Sequence, residues 1–569
     1  MPRSLQELHL HDCHPDFVVA LLGTLTRSSH SGPQTSPAQL SSLHKVATHL
    51  PGCTGGSSAL TSLSLSARIT SLPDSIGEVT ALTALTLHSC TPLTGLPDNI
   101  RGLTRLTPLS LHDSQQLTGL PDSISDLTAL ASLDLSECAS LVAVPEAIGG
   151  LSALTSLDLS GCCALTSLPE SLGSLAALAT IDLYACNGLR HLPDSAGDLA
   201  ALTALNLGEC SALQTLPAGI GCCPVSAATP LTTLDLFKSD AARFPEECIG
   251  DLTALQTLDL GCSQLTTLPE GVCALATLTL LNVDICHSLT CVPDAIGGLR
   301  ALATLDLTSC PALTRLPDSI GGLRALTQLM LAECHQLAAL PESIRGLAAL
   351  TALDLSGCGA LTQLPECIGE LRTLATLHLA NCPALTCLPD SIGGLCTLTQ
   401  LKLAECDGLT ALPESIGGLA ALTALDLRRC RALTQLPERI SELVALRKIN
   451  FFYCSGLRSL PDTIELHLED CGPGDMSAPV GSGALTQLRS LCLAAVDSRG
   501  LLPCLRCRAA LMSLDLHDTG PMRCPTECIS NLAALHARRA LAKRVRRRAG
   551  LAWRAQKRSR TIFKTGWRC

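Results

Sequence analysis

A repeat of about 24 residues runs through the sequence and limits how the chain can fold. One copy, from Leu302 to Leu323, reads LATLDLTSCPALTRLPDSIGGL. Seventeen copies start between Leu60 and Leu446, and 13 of the 16 spacings between successive starts are 24 residues. Position 1 is the first leucine of each copy, so that Asp306 stands at position 5. A single copy cannot bury its own leucines, so the copies must stack around a shared core.

Each copy contains the signals of one strand and one outer turn. Leucines at positions 4 and 6 alternate with small polar residues, which predicts a half-buried β-strand. A Leu-Pro pair at positions 15 and 16 precedes an Ile and a Leu three residues apart, which predicts a short helical turn. Only 2% of the residues are aromatic, so the core must consist of aliphatic layers. The fold class is therefore α/β, with the strands of successive copies forming one parallel sheet.

The pattern LxxLxLxxCxxLxxLPxxIxxLxx resembles a leucine-rich repeat. Its length and the cysteine at position 9 resemble the repeats of plant-type disease-resistance (nucleotide-binding, leucine-rich repeat) proteins. This resemblance implies a curved, right-handed horseshoe solenoid, with the parallel sheet on the concave face and short helices or 3-10 turns on the convex face. It also implies a role in defence or intracellular signalling. Those proteins carry a nucleotide-binding module, whereas this sequence contains no GxxxxGK[ST] motif and no Gly-Lys pair.

The regularity of the repeat and the charge divide the chain into four segments. Residues 1–59 hold a degenerate first repeat and a flexible loop, and residues 60–469 hold the regular repeats. Residues 470–535 hold degenerate repeats, and residues 536–569 form a basic tail that is predicted to be disordered. This tail has 13 basic and no acidic residues, so the net charge of −10 hides a strongly acidic repeat region. The tail fits a localisation or nucleic-acid-binding signal, a membrane-surface helix or a non-native extension.

Most cysteines are predicted to pack in the core, with no metal or cofactor. Fifteen of the 32 cysteines occupy position 9, where a small buried side chain with a weak donor is suitable. These are residues 13, 90, 138, 162, 186, 210, 286, 310, 334, 358, 382, 406, 430, 454 and 471. The one zinc-like spacing is formed by Cys504, Cys507, Cys524 and Cys528, but the last two also fit ordinary repeat positions. We therefore expect packing there rather than a zinc site.

Positions 3, 5, 7 and 8 are expected to face a partner on the concave sheet surface. Position 5 is aspartate in eight copies, at residues 134, 158, 182, 235, 259, 306, 354 and 426. The predicted protein-binding residues are Lys402, Arg428, Arg429, Lys448, Phe452, Tyr453, Asp306, Asp354 and Asp426, because Arg and Tyr concentrate binding energy and an acidic row attracts basic partners. Two alternatives remain: a solvated repeat position for the aspartates, and end-of-array irregularity for the basic and aromatic group.

No pattern in the sequence indicates catalysis. A phosphate loop, HExxH and Ser-His-Asp are all missing, and a uniform row of aspartates offers no pair of carboxyls in unlike environments. The sequence predicts non-catalytic recognition of proteins, with no small-molecule substrate and with nucleic acid bound at most through the basic tail. The alternative is a structural scaffold of the cytoskeleton or cilium. No membrane span and no secretory signal are visible, so the predicted location is the cytoplasm, with the axoneme or nucleus as alternatives.

Overall fold

The computed structural model describes residues 60–457, apart from 215, 218–219, 221–230, 240–248 and 263, together with the strands at 7–13, 490–492 and 513–515. The chain divides after Leu326 into two compact units, residues 1–326 and 327–569. This division falls inside the regular repeats, directly after the first residue of the copy that starts at Leu326.

The first unit contains twelve described strands that pair in chain order, all parallel. They are β1 (Glu7–Cys13), β2 (Ser62–Ala67), β3 (Ala84–Leu87), β4 (Pro108–Ser110), β5 (Ser132–Asp134), β6 (Ser156–Asp158), β7 (Thr180–Asp182), β8 (Ala204–Asn206), β9 (Thr233–Asp235), β10 (Thr257–Asp259), β11 (Leu280–Asn282) and β12 (Thr304–Asp306). Its described 3-10 helices are Asp74–Glu78, Asp98–Gly102, Asp122–Asp126, Glu146–Gly150, Glu170–Ser174, Asp194–Asp198, Glu270–Ala274, Asp294–Gly298 and Asp318–Gly322.

The second unit contains eight described strands, again parallel and paired in chain order. They are β13 (Gln328–Met330), β14 (Ala352–Asp354), β15 (Thr376–His378), β16 (Gln400–Lys402), β17 (Ala424–Asp426), β18 (Lys448–Asn450), β19 (Ser490–Cys492) and β20 (Ser513–Asp515). Its described 3-10 helices are Glu342–Gly346, Glu366–Glu370, Asp390–Gly394, Glu414–Gly418 and Glu438–Glu442.

The outer turn of each copy is a 3-10 helix because proline sets its first residues and the segment is too short for an α-helix. In the copy that starts at Leu302, the Ile320 N–H donates to the carbonyl oxygen of Pro317 at 3.1 Å, and the Leu323 N–H donates to Ile320 at 3.1 Å. These are the i to i+3 bonds of a 3-10 helix. The predicted strand and outer turn are both confirmed.

The core lies between the sheet and the 3-10 helices and consists of one aliphatic layer per copy. In the copy from Leu302, the side chains at positions 1, 4, 6, 9, 12, 19 and 22 are all fully buried. Each buried leucine or isoleucine contributes about 1.5–3 kcal/mol relative to an exposed one. The α/β leucine-rich-repeat solenoid that the sequence predicts is confirmed.

Several predictions concern residues outside those that the structure describes. They include the loop that follows the first repeat half, the four cysteines of the zinc-like spacing and the tail at 536–569. The four-segment division of the chain stays a prediction.

Candidate functional site

The aspartates at position 5 have a structural role at the ends of the strands that carry them. In eleven copies, Oδ1 of an Asp or Asn at position 5 accepts a hydrogen bond from the backbone N–H of position 7, at 2.9–3.2 Å. Such a local hydrogen bond stabilises the bend where the strand ends. Asp306, Asp354 and Asp426 all take part in this way. The aspartate row therefore belongs to the fold of the repeat, whatever it binds.

Position 8 follows the bend and adopts a left-handed backbone conformation in fifteen copies. The φ angles at this position run from 48° at Ile285 to 77° at Gly357. The N–H of position 8 then donates to the carbonyl oxygen of position 7 in the next copy, as from Arg429 to Phe452 at 2.7 Å. Sequence inspection missed this conformation, although glycines 161 and 357 and Asn381 at the same position are a signal for it.

The buried cysteines at position 9 form hydrogen bonds to the backbone. Their Sγ atoms donate to the carbonyl oxygen of position 6 in the preceding copy, at distances from 2.8 Å for Cys454 to 3.8 Å for Cys90. Burial raises the pKa of Cys138 and of Cys210 to about 12, so these thiols stay protonated near neutral pH. They act as small packing groups with a weak donor, as the sequence predicts.

The row of aspartates is not uniform, unlike the expectation from the sequence. Burial raises the pKa of Asp259 in this row, and burial with repulsion from Asp259 and Asp306 raises the pKa of Asp284, at position 7, to about 6. Burial also acts to raise the pKa of Asp354, but hydrogen bonds from His378 and Ser356 outweigh it, and the net shift is downward. His378 Nδ1 lies 3.3 Å from Asp354 Oδ2. The carboxyls on the strand surface therefore differ in how readily they bind a proton.

In the first unit, two aromatic side chains at position 7 lie over glycines of the following copy. A Cβ atom at Gly208 would approach the Tyr184 ring at 3.0 Å, and one at Gly261 would approach the Phe237 ring at 2.9 Å. The Lys238 ammonium lies 4.8 Å from the centre of the Phe237 ring and 3.0 Å from Glu209 Oε1. Because glycine has no side chain, these two positions leave room for the rings to lie across the strand surface.

The predicted basic and aromatic residues come together on strands β16 to β18 of the second unit. Arg428 Nη2 lies 2.9 Å from Asp426 Oδ2, and Arg429 Nη1 lies 2.9 Å from Glu405 Oε1 in the preceding copy. About half of each arginine side chain remains exposed, at 50%. Both arginines therefore keep accessible N–H groups beside their ion pairs.

The remaining predicted residues complete this surface. Phe452 and Tyr453 contact each other edge to face, with ring centres 4.3 Å apart, and 42% of Tyr453 is exposed. Lys402 and Lys448 line one shallow hollow with Asp426. We call Lys402, Arg428, Arg429, Lys448, Phe452 and Tyr453 the basic–aromatic surface.

Within the described residues, no group of three or more His, Cys, Asp or Glu side chains could hold a metal ion. None of the helices among these residues is long and apolar enough to cross a membrane.

Comparisons with known proteins agree with this geometry. The family model of RPS4B-like disease resistance protein leucine-rich repeats matches residues 126–325. No curated protein sequence matches the chain.

Among solved structures, the Leptospira interrogans leucine-rich-repeat protein LIC12759 is 26% identical, with a TM-score of 0.50. The match covers 74% of this chain and 94% of that one. The leucine-rich repeat domain of the type III effector XopL is 32% identical over 35% of this chain and 68% of its own, with a TM-score of 0.32. The plant peptide hormone receptor RGFR1, solved in complex with RGF2, is 22% identical over 81% of this chain and 90% of its own, with a TM-score of 0.34. Residues 126–325 are thus similar to the leucine-rich repeats of RPS4B-like disease resistance proteins, and the chain has the leucine-rich-repeat fold of LIC12759.

Proposed function

We propose that this chain is a non-catalytic protein-recognition solenoid that acts in cytoplasmic signalling or defence. The observation that carries the proposal is the basic–aromatic surface. Its arginines and Tyr453 occupy positions 7 and 8, which lie outside the aliphatic core, and they are substantially exposed. Arg and Tyr are the side chains in which protein interfaces concentrate their binding energy.

The strand surface also presents negative charges in fixed positions to a partner. Asp306, Asp354 and Asp426 hold the ends of their strands through Oδ1, so their carboxylates have fixed positions. Fixed charges lose less entropy on binding than mobile ones, which favours specific docking. We propose that Asp306 and Asp354 contact the partner at its basic groups, whereas Asp426 contacts the partner together with Arg428, its ion-pair partner.

The defence assignment is supported by the match of residues 126–325 to the repeats of RPS4B-like disease resistance proteins. A defence or signalling role requires a protein partner in the cytoplasm. Proximity labelling with the full chain, and with residues 536–569 deleted, tests this directly. Labelling dominated by axonemal or cytoskeletal proteins would favour the scaffold alternative instead.

Charge reversal tests the basic–aromatic surface itself. Arg428→Glu combined with Arg429→Glu should abolish capture of the main labelled partner in a pull-down, because two exposed cations become anions beside Asp426 and Glu405. The matched control is Arg345→Glu with Arg372→Glu, which changes charge equally on exposed residues at the 3-10 helix side of the same unit. Unchanged capture by the first variant, with an unchanged melting curve, would exclude this surface as the contact.

A further inference from the structure

A shallow hollow lies on the solvent-facing side of strands β16, β17 and β18. Its lining includes Gln400 and Lys402 on one side and Lys448 and Asn450 on the other. Ala424 lies between them, because it pairs in register with Gln400 on one neighbouring strand and with Lys448 on the other. Its methyl group is much shorter than the flanking side chains, and this difference in length creates the hollow.

The free charge in this hollow is positive. Asp426 is the one carboxylate in its lining, and Arg428 holds it through Nε at 2.9 Å and Nη2 at 2.9 Å. This side-on ion pair satisfies Asp426 within its own copy. The side-chain ammonium groups of Lys402 and Lys448 form no hydrogen bond or ion pair with any residue that the structure describes. Two ammonium groups therefore face the hollow without a protein anion.

The spacing of the two lysines fits an extended peptide. Lys402 and Lys448 lie two strands apart and two residues out of register, which corresponds to roughly 12 Å between their backbones. An extended chain covers about 13 Å in four residues, and side chains four residues apart lie on the same face of it. Two acidic side chains separated by such a span can each accept hydrogen bonds from one ammonium group, while the amides of Gln400 and Asn450 lie beside the peptide backbone.

We propose that this hollow binds an acidic peptide segment of the partner, with two Asp or Glu carboxylates on Lys402 and Lys448. The proposal rests on the proposed function, since it names the chemistry that the same surface recognises. Peptide carboxylates fit better than a nucleic-acid backbone. A nucleic acid needs a long row of cations, whereas Glu405 follows β16 in the same copy as Lys402 and Asp354 lies on β14 of the same unit.

A defined peptide tests the proposal on the full chain. Fluorescein-labelled hexaglutamate is titrated at low salt and followed by fluorescence anisotropy, with hexaglutamine as the uncharged probe. Lys402→Met combined with Lys448→Met keeps the side-chain length and should weaken hexaglutamate binding about tenfold, because two exposed ion pairs are lost. The control pair Arg345→Met and Arg372→Met removes the same charge at the 3-10 helix side and should leave the affinity unchanged.

Three outcomes would overturn the proposal. One is equal affinity of the lysine double variant and the parent chain. Another is an equal loss in the control pair, which would show a general charge effect. The third is that a labelled single-stranded oligonucleotide binds more tightly than hexaglutamate and that the lysine double variant loses this oligonucleotide binding. The pull-down with the Arg428→Glu and Arg429→Glu variant separates this proposal from the proposed function. If that variant loses its partner while one of these three outcomes is observed, protein recognition by the basic–aromatic surface stands and only the binding of an acidic peptide is excluded.

Discussion

At the residue scale, the strand surface combines side chains that the repeat needs with side chains that it does not need. The hydrogen bond that the position-5 side chain accepts from the N–H of position 7 occurs with Asp or Asn in eleven copies, so it belongs to the fold. Position 8 instead holds residues as different as Lys238, Ile285 and Tyr453 in one left-handed conformation. The side chain at position 8 is thus free to vary for recognition, provided that the backbone strain of about 1–2 kcal/mol is tolerated.

The same contrast explains what could be predicted from the sequence. The buried leucines at positions 4 and 6 and the proline at position 16 have strong periodic preferences, so the strand and the outer turn were predictable. The left-handed position was harder to predict, because only Gly161, Gly357 and Asn381 signal it and its other occupants have little chemistry in common. The ion pairs of Arg428 and Arg429 were also hidden, since one joins residues within a copy and the other joins neighbouring copies.

Asp284 supplies a prediction about pH. Its pKa of about 6 in the folded protein lies above the ordinary value near 4, so ionisation of this group destabilises the fold at neutral pH. This destabilisation is relieved as the pH falls through 6 toward 4. We expect Asp284→Asn to increase the free energy of unfolding at pH 7 by about 1 kcal/mol, a value reduced for solvent screening. Urea denaturation at pH 7 and pH 4.5 measures both effects.

The difference between Asp284→Asn and the parent chain should shrink at pH 4.5, where the parent carboxyl is mostly protonated. Asp318→Asn, in the 3-10 helix Asp318–Gly322 of the same unit, removes one negative charge as a control. An equal gain from both substitutions would show that net charge, rather than burial of Asp284, is the cause.

At the element scale, neighbouring 3-10 helices pack through their glycines. A Cβ atom at Gly322 would lie 2.6 Å from the carbonyl oxygen and 3.1 Å from the Cα atom of Gly297, in the preceding helix. These are backbone atoms of a packed element, so they cannot move aside as the end of a long side chain can. The absence of a side chain therefore sets how closely these two helices approach.

Substitution of two glycines tests this packing. Gly322→Ala should lower the free energy of unfolding by about 1–2 kcal/mol through overpacking. Gly119→Ala is the matched control, because a Cβ atom there meets no atom within 4 Å. It should be neutral or stabilise by about 0.4–1 kcal/mol through the unfolded chain. Denaturant midpoints that fall equally for both variants would contradict a role for close helix packing.

At the scale of the whole molecule, each unit is a stack in which a copy contacts chiefly the copies next to it. The described strands pair with strands of adjacent copies, and the hydrogen bonds between copies join positions about 24 residues apart. Such quasi-one-dimensional proteins have stabilities that sum over copies and their interfaces. A destabilising substitution in one copy should therefore lower the stability of the adjacent copies most, and this loss of stability should decrease with distance along the stack.

Leu353→Asp tests this behaviour in the second unit. Leu353 is 1% exposed, so the substitution buries a carboxylate without a partner and removes a leucine worth about 2–3 kcal/mol. Hydrogen exchange should show the largest loss of amide protection in strands β13 to β15 and a smaller loss in β17 and β18. Gln363→Asp introduces the same charge at an exposed position of the same copy and should leave protection unchanged. A uniform loss of protection across β13 to β18 would mean that the unit unfolds as one cooperative block. The stability of the basic–aromatic surface would then depend on every copy of the second unit rather than only on the copies next to that surface.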